Sequence, residues 1–200
     1  MSHEPAENPF CTRHIRPGAI PFLFPPGEDA ETLVRRLQQN GWRGAIVGAH
    51  GTGKSALLAT LIPQIELAGQ RAELVELHDG QRQLPLNLRR DKRLRPPMVL
   101  IVDGYEQLSR WRRFLLKRHC RRRGLGLLVT AHTPVGLPEL FRTEPTPELA
   151  ERVVGRLMAG RLPPFATADI ATCFARHQGN IRETLFDLYD FYEQGRAAAN

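Results

Sequence analysis

The sequence predicts an α/β protein: a parallel sheet sandwiched by helices, followed by a small C-terminal helical lid. Apolar runs that read as buried strands alternate with helical patterns, which is the signature of a parallel sheet covered on both faces. A glycine-rich turn at 48–55 lies between the first such strand and a helix. The last two helical patterns have no strand partner, so they are expected to pack on each other as the lid.

Taken in order, residues 1–28 hold Pro5, Pro9, Pro17, Pro21, Pro25 and Pro26 and read as an extended arm rather than a helix. Phe10, Phe22, Leu23 and Phe24 are expected to fasten that arm to the body. Asp29 precedes a helix whose apolar side is Leu33, Val34 and Leu37, ended by Asn40-Gly41. A strand at 42–47, the turn, a helix at 54–68 kinked by Pro63, and a strand at 72–77 follow. An irregular stretch with Pro85, Pro96 and Pro97 leads to the apolar strand 98–102 and a basic helix spanning 106–123. Gly124 stops that helix, a strand covers 125–130, and 141–143 is a short last strand. Helices are expected at 147–159, 167–176 and 181–194, the last two separated by Gly179-Asn180. The division that results is an arm at 1–28, a core at 29–160 and a lid at 161–200.

Two hundred residues with 42% hydrophobic and 24% charged side chains suit one domain with a small appendage. No apolar run approaches the roughly 18 residues needed to span a bilayer, so no membrane association is expected. The acidic N-terminal residues lack the pattern of a secretory signal, and Cys11, Cys120 and Cys173 offer neither a disulfide framework nor a CxxC pair. A cytoplasmic location is the expectation. The net charge of +7 is local: residues 81–123 carry 14 Lys or Arg against three acids, while the rest carries 14 basic and 18 acidic residues. In the predicted basic helix, Leu108, Trp111, Leu115 and Leu116 are expected as the core stripe. The basic block at 89–123 can face DNA or RNA phosphates, an acidic protein partner, or solvent alone.

Gly48-Ala49-His50-Gly51-Thr52-Gly53-Lys54-Ser55 matches GxxxxGK[ST] in the strand-turn-helix setting that the motif requires. Its glycines let backbone N–H groups turn onto phosphate oxygens at a helix N-terminus. Lys54 is placed to reach the β and γ phosphates of ATP, and the Ser55 hydroxyl to ligate Mg²⁺. The strand 98–103, Met-Val-Leu-Ile-Val-Asp, ends on an aspartate suited to the same ion, and Glu106 is the first candidate for the base that activates water. Asp79, after the second strand, is its rival.

On these residues the chain resembles the P-loop NTPases, with 48–55 as Walker A and Asp103 closing Walker B. The order of further motifs over about 40–195 resembles the AAA+ ATPases. Thr130 and His132 stand where sensor 1 stands, at the end of the strand Leu127-Leu-Val-Thr130-Ala-His132. Gly179-Asn-Ile-Arg182 is similar to the lid segment bearing the sensor-2 arginine. Many AAA+ proteins place glutamate directly after the Walker B aspartate, whereas this chain has Gly104, as in the signalling NTPases called STAND. Arg142 lies where an arginine finger would be sought.

The resemblance implies an ATP-binding, ATP-hydrolysing domain acting as a nucleotide-dependent switch or motor component, with Lys54, Glu106, Thr130 and Arg182 in catalytic roles. Oligomerisation is compatible with it. Two other classes stay open. One is a P-loop small-molecule kinase with 82–95 as a phosphate-clamping lid. The other is a module that binds nucleotide without turnover and gates nucleic-acid or protein binding. No NKxD motif is present to select guanine.

Overall fold

The computed structural model describes residues 8–78, 80–85, 91, 94–161 and 163–199. Its chain divides into two compact units. One comprises Phe24–Gly48 and Leu57–Thr143; the other comprises Met1–Leu23, Ala49–Ala56 and Glu144–Asn200.

The first of these units is built on five parallel strands, β1 (Arg43–Val47), β2 (Arg71–Glu76), β3 (Met98–Asp103), β4 (Gly126–Ala131) and β5 (Glu139–Arg142), in the order β2-β3-β4-β1-β5. The predicted α/β class and parallel sheet are therefore present. Strands β1, β3 and β4 are apolar along their length because both faces are covered. On one face Ala45, Val47, Leu100, Val102, Leu127 and Val129 pack with Tyr105, Leu108, Leu116 and Cys120. On the other, Gly44 lets Leu37 of α2 (Ala30–Gln39) approach closely: a Cβ there would stand 3.1 Å from the Leu37 side chain. Asp29 caps α2 by accepting the Thr32 N–H at 2.7 Å. Strand β1 begins at Arg43 rather than at residue 42 because Trp42 is in the left-handed region (φ 60°) and donates its N–H to Leu37 O, closing the turn after α2.

The helix expected over 106–123 is two elements. Tyr105–Gln107 is one 3₁₀ turn, Leu108 is extended, and Ser109 caps α4 (Arg110–Arg123) by accepting the Arg112 N–H. The expected core stripe is half corrected. Leu108 and Leu116 are buried, but Trp111 is 67% and Leu115 41% exposed, and the inward places are taken by Leu116 and Cys120. Starting at Ser109 rather than at 106 removes the turn that would have set the earlier phase. The proline inside α3 (Lys54–Leu67) is accommodated within one continuous helix.

In the other unit, α5 (Pro147–Met158), α6 (Thr167–Arg176) and α7 (Ile181–Ala199) pack through Ala150, Val154, Met158, Ile170, Cys173, Phe174, Leu185 and Leu188. Phe10 fastens the arm to these helices: it is fully buried against Phe165 and Tyr192, and Asn8 donates to Tyr189 O and Glu193 Oε1. It is not wholly extended, since α1 (Thr12–Ile15) makes one turn in the proline-free stretch between Pro9 and Pro17. Among the described residues, no helix is long and apolar enough to cross a membrane.

Candidate functional site

Parallel pairing brings the carboxyl ends of β1, β3 and β4 to one edge of the sheet, and the glycine-rich turn leaves the chain there. Gly48 follows β1 directly and donates its N–H to Ala131 O at 3.1 Å. Within Ala49–Ala56 the turn is held by its own groups. Ala49 O accepts the Thr52 hydroxyl at 2.9 Å and also the ammonium of Lys54. Thr52 and Lys54 are buried, Ala49 and His50 are exposed, and Gly51, Gly53 and Ser55 are intermediate. Lys54 opens α3, so Ser55 sits in its first turn, where the helix dipole favours an anion.

Two glycines of this turn cannot be replaced freely. Gly51 has φ +68° and a Cβ on it would lie 1.7 Å from Asn180 Oδ1, while Gly53 has φ +94° with the Phe22 ring 3.4 Å from its missing Cβ. Asn180 opens α7: its Oδ1 accepts the Glu183 N–H at 3.2 Å and its carbonyl accepts the Thr184 hydroxyl at 2.8 Å. The lid segment Gly179–Arg182 thus meets the turn through Asn180. Arg182 is exposed on the first turn of α7. The sequence singles out Arg182 for the site, and marks Asn180 only as a helix boundary and Phe22 only as an arm contact. The Gly-Asn pair marked a helix start but carried no sign of its neighbour.

In the sheet unit, Asp103 ends β3 and Thr130 lies near the end of β4 on the same face, since Ile101 and Leu128 are register partners. The Thr130 hydroxyl donates to Asp103 Oδ1 and accepts the Gly104 N–H at 2.9 Å. Gly104 has φ +78°, and a Cβ on it would stand 2.5 Å from Leu77 O. No side chain fits directly after the aspartate, which accounts physically for glycine at this place.

Glu106 lies on the 3₁₀ turn, its Oε1 3.1 Å from His132 Nε2; its other oxygen, Oε2, is buried with no hydrogen-bond partner. Arg113 fixes the backbone of this turn, donating to Glu106 O and Leu108 O, each at 2.7 Å, with its guanidinium 5.6 Å from the Tyr105 ring centre. Burial pushes the Tyr105 hydroxyl up to about 12, so it stays protonated. Arg142 is engaged on β5 by Glu139 through two hydrogen bonds. Asp79 and, of the basic block, Arg89, Arg90, Lys92 and Arg93 lie outside the described residues.

No protein-family model matches the chain, and no curated protein matches it. Among solved structures it is similar to the Orc1 protein of Aeropyrum pernix, determined in complex with DNA. The TM-score is 0.66 at 13% identity, over 94% of this chain and 69% of that one. At that identity the likeness shows the fold alone: a parallel α/β sheet with helices on its faces.

Proposed function

We propose that this chain binds Mg-ATP through Gly48–Ser55 and hydrolyses it slowly, acting as a nucleotide-dependent switch or motor component. The observation that carries this reading is the glycine turn delivered from β1 into α3, with a buried lysine at the helix start, in a chain whose fold is similar to that of the Orc1 protein. The residues suit the ligand in kind: a glycine cradle that a Cβ would fill at Gly51, a lysine, a hydroxyl at Ser55 and a carboxylate at Asp103. In this reading Lys54 would leave Ala49 O to meet the β and γ phosphates, and Ser55 and Asp103 would hold Mg²⁺, which would neutralise phosphate charge. Thr130 orients Asp103, and Glu106 takes the proton of the attacking water. Arg182 responds to the nucleotide from the lid.

A second element concerns partners. Arg110, Arg112, Arg118, Arg121 and Arg122 are exposed on α4, and among the described residues none of them forms an ion pair. That charge supports weak, sequence-independent binding of DNA or RNA phosphates, with log affinity falling against log salt by about 0.9 per duplex phosphate neutralised.

Calorimetry with Mg-ATP and Mg-ADP followed by phosphate-release assays, with and without nucleic acid, tests the proposal. Absence of nucleotide binding to the folded chain refutes it. Binding without phosphate release replaces hydrolysis by a nucleotide-gated binding module, and phosphate transfer to a small acceptor replaces it by a kinase.

A further inference from the structure

Two helices present exposed apolar faces of opposite charge. The outward ridge of α4 begins with Trp111, Phe114 and Leu115, exposed by 67, 48 and 41%, and continues with the exposed Arg118, Arg121 and Arg122. The rings of Trp111 and Phe114 stack on each other, 5.6 Å between centres and 25° between planes, so the pair forms one flat apolar platform. On α7, Phe186 and Tyr189 are 39 and 36% exposed, and the exposed carboxylates of Glu183 and Asp190 flank them on the same side.

Charge alone does not account for the α4 face. A solvated basic helix needs no aromatic platform, and phosphate neutralisation leaves Leu115 without a role. Apolar side chains at i, i+3 and i+4 beside arginine are instead the anchors of a helix-mediated protein contact, where Trp, Phe and Arg are enriched and Lys is depleted. Seven of the eight cations on α4 are arginine. The occupant must bring apolar side chains next to carboxylates, and α7 of this same chain does so.

We propose that α4 of one copy docks on α7 of a second copy. The helices run antiparallel, so that Trp111, Phe114 and Leu115 pack there against Phe186 and Tyr189 while Arg118 and Arg122 face Glu183. The contact joins unlike surfaces, so it occurs either twice in a two-fold pair or once per step in a longer series. One helix face against another buries less than the ~1,200 Å² of a stable interface, so the association is weak and concentration-dependent. The inference is independent of the nucleotide reading.

Sedimentation velocity of the full chain, up to roughly millimolar protein at low salt, tests it, and the expected dissociation constant is on the order of 100 μM. The variants Arg118→Glu/Arg122→Glu on α4 and Glu183→Arg on α7 are each expected to be monomeric. Mixed together they regain association, because the reversed faces again match, and a folding defect cannot produce that rescue. Trp111→Ser is expected to weaken association about tenfold, as loss of an interface anchor does. A wild-type chain that stays monomeric overturns the proposal. So does association indifferent to the reversals, or a mixture that fails to associate. Labelled duplex and single-stranded DNA run beside these samples: DNA bound through the α4 arginines by a chain that stays monomeric assigns the face to nucleic acid instead.

Discussion

The Thr130 hydroxyl joins the last residue of one strand to the turn that follows it, donating to Asp103 Oδ1 and accepting the Gly104 N–H. Thr130 is fully buried, so no water substitutes for it. Replacing it by valine keeps the shape and leaves the Gly104 N–H and one carboxylate oxygen without this partner, a loss of about 1–3 kcal/mol. Thr130→Val is expected to lower urea stability by that amount and to impair nucleotide turnover together with it, whereas Thr130→Ser keeps the hydroxyl bonds and the turnover and loses only the packing of one buried methyl, about 1 kcal/mol. Equal stability of the valine variant and wild type would remove Thr130 as the clamp on Asp103.

Glu106 has the surroundings of a base held in place: one oxygen on His132, the other buried without a partner, and the backbone pinned by Arg113. If it activates water, Glu106→Gln slows single-turnover ATP hydrolysis by roughly 100- to 10,000-fold while leaving ADP affinity nearly unchanged. His132→Ala is expected to reduce kcat less, and to do so without changing KM, because it frees the carboxylate rather than deleting it. Unaltered hydrolysis in Glu106→Gln would transfer the role to Asp79 or another carboxylate.

The elements that were legible in the sequence are those written in a local pattern. Apolar β1, β3 and β4, the turn at 48–55 and the caps at Asp29 and Gly124 depend on a few neighbouring residues, and the structure has them within a residue or two. Harder to read was anything set by phase or by distant packing. A run such as Arg110–Arg123 has apolar residues at several competing helical phases, and only the restart at Ser109 selects Leu116 and Cys120 as the buried ones. The partnership of Asp103 with Thr130 follows from parallel register once β3 and β4 are neighbours, but strand order is not written in either strand. His132 beside Glu106, and Asn180 over Gly51, are side-chain contacts across 26 and 129 positions, with no local signature at all.

The cap on α2 is expected to titrate. Asp29 accepts the Thr32 N–H, and that hydrogen bond holds its carboxyl below the ordinary value of 3.8. A carboxyl depressed in the folded state contributes stability above its unfolded value, and the contribution vanishes as pH falls through the folded one. The stability difference between wild type and Asp29→Ala is therefore constant near neutrality and shrinks to its uncharged remainder in acid. Urea titrations from about pH 6 to 2 measure it. A difference that is flat across that range would show that the cap acts without its charge.

Gly51 and Asn180 supply a test of the link between the glycine turn and the start of α7. A methyl at Gly51 meets two obstacles: a left-handed backbone, worth about 1–2 kcal/mol for a residue with a Cβ, and the Asn180 side chain at 1.7 Å. The asparagine can swing away, but then its Oδ1 no longer accepts the Glu183 N–H, and loss of such a helix-start hydrogen bond costs about 1 kcal/mol. Gly51→Ala should therefore lower stability by both amounts and weaken nucleotide binding, since the turn must shift. Asn180→Gly alone loses only the helix-start bond. If the clash is the link, adding Asn180→Gly to Gly51→Ala costs almost nothing further, so the two losses are less than additive by about the value of that bond, and the backbone penalty alone persists. Urea denaturation of the four proteins closes this cycle. Strict additivity would mean that Gly51 tolerates the methyl without touching Asn180, and the turn and α7 would then be independent.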